Sequence, residues 1–434
     1  MNNKKAAWFA LAVLFLINAL NFFDRQIIGA VGEPIRKEFL LDDKALGALN
    51  TAFTLIYAFV GLPLGRLADK FSRKNILAVG VFFWSLFTAL SSFTTSFWQI
   101  FALRIGVGIG EASCAPAANS MIGDYFPSEK RAKAISIFML GLPVGLALSF
   151  AVSGAVAQKY GWRTAFLVAG LPGILCVILA LFLKEPLRGL QETTQTESAQ
   201  DAFSTYKLLL AMPTMRWLII SGAIHNFSLY ALGAFITPYM MRFHGLNIQE
   251  AGFRSTIIYG LLSLPGLLLG GVVGDWAKSK RSNGALLIVT IATLFSIPFF
   301  FFALQVESGN INAFLALVGI SVALLYFYYS IVYSTIADIT KPEMRGSAMA
   351  LYFMAMYLLG ASFGPYVVGI ISDYFSQQAA ISAGITNLTK ETIEPFRAAG
   401  LRSAMYIVPI LSAFLTLVMF AASRTVEKDS AKVH

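Results

Sequence analysis

The sequence predicts an all-α membrane protein with twelve transmembrane helices in two six-helix lobes, and three observations carry that prediction. The 434 residues are 57% hydrophobic and only 13% charged, a balance that water-soluble domains of this length do not show. The apolar residues gather into long runs, most of them about 20 residues or more, the length a helix needs to cross a hydrocarbon core about 30 Å thick. In that solvent a helix satisfies its own backbone hydrogen bonds, which an open strand cannot do. Third, sequence motifs of the first half return in the second.

The expected spans of the first lobe, residues 1–183, are 7–31, 46–69, 76–94, 97–124, 132–158 and 163–183. The first begins after Lys4 and Lys5 and runs through a charged Asp24-Arg25 pair without a small-x-small cleavage site. It therefore reads as a retained helix rather than a signal peptide. Residues 184–212 form a cytoplasmic linker, whose most polar part is Gln191 to Ser198. The second lobe, residues 213–434, contains spans 213–241, 248–276, 284–305, 311–338, 345–374 and 399–423. Spans longer than the core is thick predict tilt or protrusion into water.

The net charge of +10 is not a nucleic-acid signal. Segments on the side of the two termini hold roughly twice as many Lys and Arg residues as the opposite segments, which places both termini in the cytoplasm and suits a bacterial inner membrane. Cys114 and Cys176 both fall inside spans, so neither a disulfide nor a metal site is expected. No phosphate loop, metal-ligand spacing or nucleophile–base pattern appears. The expectation is a protein that is not an enzyme, has no cofactor and works as a monomer among membrane lipids.

The repeat is carried by two motifs. Gly65-Arg66-Leu67-Ala68-Asp69-Lys70-Phe71-Ser72-Arg73-Lys74 follows span two, and Gly271-Val272-Val273-Gly274-Asp275-Trp276-Ala277-Lys278 follows span eight. In each, Asp stands four residues after Gly, with bases beyond. Asp124, Glu129 and Arg131 follow span four at the same offsets as Asp338, Glu343 and Arg345 after span ten. Parallel six-span repeats are the mark of a two-lobed transporter with its site between the lobes.

The stretch from Gly65 to Lys74 resembles the loop signature of the major facilitator superfamily, with Ser72 where that loop usually has Gly. Arg104-Ile105-Gly106-Val107-Gly108-Ile109-Gly110 resembles a second superfamily signature. Within it, Asn21 to Arg25, Gly108 to Ser113, Ile135 to Phe138 with Gly141 to Gly145, and Lys184 to Pro186 with Arg188-Gly189 look like the Spinster-like group of lipid transporters. Cys114 departs from that group, which has an aromatic residue there. The resemblance implies alternating access and a lysolipid, sphingoid lipid or similar amphiphile as substrate. Sugar-acid and organic-anion symporters share a similar Asp-Arg and Glu, so a small organic anion is the first alternative and multidrug efflux the second.

Charges inside hydrocarbon are expensive and usually functional, which singles out Asp24, Arg25, Arg104 and Glu111. Asp24 lies about 24 Å along the helix from Trp8 at about 1.5 Å per residue. Arg104 and Glu111 are seven residues apart and share a helix face. These four are expected to form one network for proton coupling. Burial disfavours a charged carboxylate and a guanidinium favours it, so a balanced group changes protonation as the cavity opens. A permanent ion pair locking spans one and four is the competing reading, and Arg104 fits a structural role as well as substrate contact. Gly106, Gly108 and Gly110 read as tight helix packing, and Pro143 between Gly141 and Gly145 as a bend or sliding contact.

The second lobe is aromatic rather than charged. His225, Asn226, Tyr230 and Tyr329 are candidate substrate contacts, with Arg254 as the nearest charge. An amphiphile matches this asymmetry, although ordinary aromatic packing explains the same residues, His225 included. Asp69, Arg73, Arg131, Asp275 and Arg345 are candidates for a cytoplasmic gate, or else cap helix ends.

Overall fold

The computed structural model describes residues 3–187, 202–341 and 344–431. Twelve stretches among them are helical, long and apolar enough to cross a membrane. Spans one to three are α1 (Asn3–Glu38), α2 (Asp43–Lys70) and α3 (Arg73–Leu90). Span four is α4 (Phe97–Glu111) with α5 (Cys114–Tyr125), span five is α6 (Ser128–Met139) with α7 (Gly141–Tyr160), and span six is α8 (Trp162–Leu181). A short α9 (Ala202–Ala211) precedes span seven, α10 (Pro213–Phe243). Span eight is α11 (Ile248–Thr256) and α12 (Ser263–Lys280), joined by a π-helical turn at Ile257–Leu262. Spans nine and ten are α13 (Gly284–Gln305) and α14 (Ile311–Asp338). Span eleven is α15 (Arg345–Ala355) and α16 (Gly364–Ser382), joined by a π-helical turn at Met356–Ala361. After the short α17 (Lys390–Ile393), span twelve is α18 (Arg397–Met405) with α19 (Ile407–Ser430).

The interruptions share a cause. Pro116, Pro143, Pro265, Pro365 and Pro409 each stand second or third in the segment that resumes after a break. A proline cannot donate to the carbonyl four residues back and its ring crowds that carbonyl. At the bend before Pro143, Asn18 Nδ2 donates to Phe138 O at 2.8 Å and takes up a carbonyl there. The predicted bend in span five is thus present, at Leu140. Pro34, Pro63, Pro172, Pro238 and Pro298 stand inside α1, α2, α8, α10 and α13 without such an interruption.

Two helical features lie outside the expected bounds. The first helix was expected to stop at 31, where charges begin, yet it continues to Glu38. Arg36 pairs with Glu33 at 2.9 Å, both buried, and also donates to Leu41 O at 3.5 Å, so the charges neutralise each other instead of ending the helix. Part of the expected linker, 202–211, is the helix α9 with Leu209 buried. Its polar stretch 191–200 lies outside the described residues.

Contacts group the chain into two compact units. The first holds Met1–Gln195 together with Ile236–Met241 and Leu246–Thr256; the second holds Thr196–Phe235, Arg242–Gly245 and Ile257–His434. The first unit therefore includes a piece of span eight, α11, which the sequence alone assigned to the second half. The reason is close packing on α7: a Cβ on Gly252 would stand 2.5 Å from Phe150 O, and Thr256 Oγ1 donates to Ala147 O at 3.0 Å.

Small residues set the rest of the first unit's packing, as expected where no water drives helices together. A Cβ on Gly108 would stand 2.8 Å from Phe53 O of α2, and one on Gly110 would stand 2.9 Å from Gly80 O of α3. That approach presses α4 against both helices and brings its last residue, Glu111, into the centre of the unit, fully buried.

The loop motifs of the repeat make matching contacts inside each unit. Arg73 pairs with Asp124 in the first, and Lys278 with Asp338 in the second. Arg131 donates to Gly123 O at 2.9 Å and Arg345 to Ala337 O at 3.0 Å, each to the carbonyl eight residues back. In the first unit Glu185 adds a clasp: it accepts from Ser72 Oγ at 2.8 Å, Arg73 Nε at 2.9 Å and Lys74 N at 3.0 Å. Ser72 does not distort the turn, since its backbone is extended with φ −61°; its hydroxyl serves Glu185.

Partial burial raises the pKa of the Glu185 carboxyl, but the donors from Lys74, Arg73 and Ser72 outweigh it and hold the group below the usual value of 4.5. A depressed carboxylate pKa stabilises the fold above the unfolded value and ceases to do so as pH falls through the folded one. Glu185→Gln should therefore lower the melting temperature of the purified protein at neutral pH, by an amount corresponding to about 1–2 kcal/mol for hydrogen bonds to a partly exposed charged group. The gap between variant and wild type should close as pH drops below 4.5. A gap that persists unchanged in acid would mean that the carboxylate charge is not the stabilising feature.

Candidate functional site

The first unit buries four charges near one another. Asp24 and Arg25 are neighbours on α1, yet consecutive helical residues point about 100° apart, and the two side chains take different partners. Arg25 Nε meets Glu111 Oε2 at 3.0 Å, with both side chains buried. Its guanidinium also lies over the Tyr57 ring at 4.0 Å and the Phe22 ring at 4.9 Å. Asp24 Oδ2 instead accepts from Thr88 Oγ1 of α3 at 3.2 Å.

Arg104 donates from Nη1 to the main-chain oxygen of Asp24 at 3.3 Å and stands over Phe53 at 4.8 Å. Its Nε and Nη2 have no hydrogen-bond partner among the described residues, and the same holds for Asp24 Oδ1, Glu111 Oε1 and Asn21 Nδ2. Asp24, Arg104 and Glu111 interact electrostatically. The cluster thus contains one closed ion pair, Arg25–Glu111, and one pair of charges, Asp24 and Arg104, with hydrogen-bonding capacity to spare. Glu111 also sits where span four breaks, with Ser113 Oγ returning to Gly110 O at 2.8 Å.

Chemically this is a site that can hold, exchange or lose a proton. Two carboxylates and two guanidiniums balance when both acids are ionised, and each carboxylate keeps one oxygen outside the hydrogen-bond network. Sequence reasoning named the four charges but not Tyr57, Phe53, Phe22 or Thr88. The signal for these was faint, because an aromatic ring in a chain with 14% aromatic residues gives no hint that a guanidinium will rest on it.

The second unit gathers the aromatic candidates. His225 of α10 stacks on Tyr328 of α14, with centroids 4.1 Å apart, and meets Tyr329 edge-on at 5.0 Å. Tyr329 donates to Asn226 Oδ1 at 3.1 Å. Tyr328 shares hydrogen bonds with Ser221 at 2.7 Å and Tyr352 at 3.0 Å, and Tyr333 packs edge-on against Tyr352 and Phe353. Tyr230 is edge-on to Tyr357 at 6.3 Å. Tyr352, Phe353 and Tyr357 belong to span eleven and were not anticipated. Arg254 is not among this group: it lies on α11, in the first unit, and its Nε is buried without a hydrogen-bond partner among the described residues.

Of the proposed gate residues, Arg73 is buried in the clasp with Asp124, Glu185, Ser120 and Pro186, so its donors are engaged within its own unit. Arg131 and Arg345 cap carbonyls as described. Asp275 is exposed at the end of α12, and the side chain of Asp69 lies outside those described. Among the described residues, no group of three or more His, Cys, Asp and Glu is arranged to hold a metal ion.

Comparison with known proteins gives these sites a family. Residues 14–365 match the Major Facilitator Superfamily. An MFS-type efflux pump of Mycolicibacterium smegmatis is 28% identical over 387 residues, covering 88% of each chain. Protein spinster homolog 3 of Danio rerio is 31% identical over 391 residues, covering 86% of this chain and 78% of the relative. The crystal structure of a bacterial homolog to the human lysosomal transporter Spinster, in an inward-facing and unoccupied conformation, superposes with a TM-score of 0.88 at 28% identity over 98% of both chains. Twelve spans, two repeated loop motifs and a charged cluster inside hydrocarbon are thus explained together: the chain is a multi-pass membrane transporter, not an enzyme, and it belongs to the Major Facilitator Superfamily as one of its Spinster-like members.

Proposed function

We propose that this chain is a proton-coupled transporter that moves a lysolipid, sphingoid lipid or similar amphiphile by alternating access, as a monomer, with both termini in the cytoplasm of a bacterial inner membrane. The observation that carries the coupling is the buried cluster of Asp24, Arg25, Arg104 and Glu111, in which each acid keeps one oxygen without a hydrogen-bond partner among the described residues, since ionisable groups inside membrane spans mark ion pathways and proton relays. Glu111 or Asp24 carries the proton, and Arg25 and Arg104, charged throughout, set its affinity. The aromatic group of His225, Asn226, Tyr230 and Tyr329 supports the amphiphile: it offers apolar surface with a few polar points and no charge. Arg254 supplies a further cation from span eight. Asp69, Arg73, Arg131, Asp275 and Arg345, in or near the ends of α2, α3, α6, α12 and α15, make up the gate on the cytoplasmic side.

Purified protein in liposomes should take up a lysolipid faster when a pH gradient is imposed, and collapsing that gradient with an ionophore should abolish the gain. Uptake indifferent to the gradient would sink proton coupling. Binding should also depend on chain length, since each buried methylene contributes about 0.8 kcal/mol. Tyr329→Ala and Tyr230→Ala should weaken long-chain lysolipids more than short-chain ones. If affinity does not vary with chain length, the protein is a small-anion symporter. Preference for cationic drugs over both would favour the efflux activity named for the mycobacterial relative.

A further inference from the structure

His225 is 1% exposed, and neither Nδ1 nor Nε2 has a hydrogen-bond partner among the described residues. The polar groups around it are committed elsewhere: the Tyr328 hydroxyl to Ser221 and Tyr352, and the Tyr329 hydroxyl to Asn226. An imidazole buried in a membrane-spanning helix with both nitrogens unused sacrifices as much as lost hydrogen bonds are worth. Among the described residues no ion pair reaches it, and an unpaired charge inside a membrane span is expensive, which favours the neutral ring.

A neutral imidazole has one N–H donor and one lone-pair acceptor. A phosphate or carboxylate satisfies only the donor, and an ammonium only the acceptor. A hydroxyl can accept from the N–H or donate to the bare nitrogen, whichever faces it, and being neutral it is desolvated at far less cost than either ion in a buried site without a counter-charge. The ring beside the imidazole that is only half-buried is Tyr329, which meets it edge-on and is tied to Asn226 on the same helix as His225. Displacing that ring would uncover the imidazole.

We propose that His225 is a specificity-determining contact that recognises a hydroxyl group of the transported ligand, with Tyr329 as its movable cover. This rests on the transporter reading above and narrows its substrate to hydroxyl-bearing molecules. The recognised hydroxyl belongs to a lysolipid backbone or to a sugar acid, and the test separates the two.

The test uses the full chain, purified, and two pairs of probes: palmitoyl lysophosphatidylcholine, whose backbone hydroxyl is its only one, with its analogue lacking that hydroxyl, and gluconate with a deoxy-gluconate. The wild type should bind the hydroxylated lysolipid about tenfold more tightly than its analogue, the worth of about one buried hydrogen-bonding group. His225→Phe should erase that preference by weakening the hydroxylated probe alone. His225→Gln, which keeps a donor and an acceptor, should retain most of it. If the preference appears only in the gluconate pair and His225→Phe removes it, the hydroxyl contact stands and the lipid reading falls. The inference is overturned if the wild type discriminates in neither pair, if the preference survives in His225→Phe, or if that variant weakens both members of a pair equally, which is the sign of lost packing. Should His225→Phe fail to fold, histidine nitrogen NMR on the wild type decides: the His225 signal must move with the hydroxylated member of a pair and stay in place with its analogue.

Discussion

Glu111→Gln should bind substrate nearly as well as the wild type but lose at least about tenfold of pH-gradient-driven uptake, a change of about 1.4 kcal/mol in the driven step. Exchange of substrate for substrate across the membrane should survive. The carboxamide can still accept from Arg25 Nε, which now stands 3.0 Å from Oε2, and the Tyr57 ring remains under the guanidinium at 4.0 Å. It cannot take up or release a proton. Losing one member of a buried ion pair costs about 3–5 kcal/mol when nothing replaces it, so Glu111→Ala should melt well below Glu111→Gln. Asp24→Asn is the comparison, because the two acids interact and their titration belongs to the pair. Normal uptake by Glu111→Gln with unchanged dependence on the gradient would make Asp24 the proton carrier. A variant that does not fold would make Arg25–Glu111 a structural lock between α1 and α4.

A large structural effect is expected at Gly145. A Cβ there would stand 2.2 Å from Ala19 O, 2.8 Å from Phe22 Cβ and 3.0 Å from Phe23 N. Two of those atoms belong to the backbone of α1, just ahead of Asp24 and Arg25, so no side-chain rotation can make room. Helix α7 would have to leave α1 and break the bond from Ser149 Oγ to Phe23 O at 2.8 Å. Overpacking typically costs about 1–3 kcal/mol where side chains can yield; against backbone the cost should reach or exceed the upper figure. Gly145→Ala should therefore melt far below the wild type and lose transport with it. Gly123→Ala is the control: a Cβ there meets nothing within 4 Å, and Ala in place of a helical Gly stabilises by about 0.5–1 kcal/mol. Equal melting of the two variants would show that α7 and α1 separate without penalty.

The four membrane charges were legible because hydrocarbon makes any charge conspicuous against a 57% hydrophobic background. Their pairing was not. The sequence groups the four but does not say which charge meets which; the bond that forms joins Arg25 to Glu111 across 86 positions of chain. Prolines show the same limit. Five of them mark interruptions and five lie inside continuous helices, so a proline in the sequence does not by itself say where a helix breaks.

Length and hydropathy by themselves determined the solvent, the twelve spans and the class of protein, since each follows from counting apolar residues against the thickness of a bilayer. The loop motifs determined the family, because their residues recur at set offsets along the chain. Only the tertiary structure decided which charges are neutralised and which keep capacity in reserve, that α11 packs with the first unit, and that both nitrogens of His225 lack a hydrogen-bond partner among the described residues. These depend on which helix faces meet, and that is set by small residues such as Gly108, Gly145 and Gly252, whose effect is a distance between backbones that no linear spacing records.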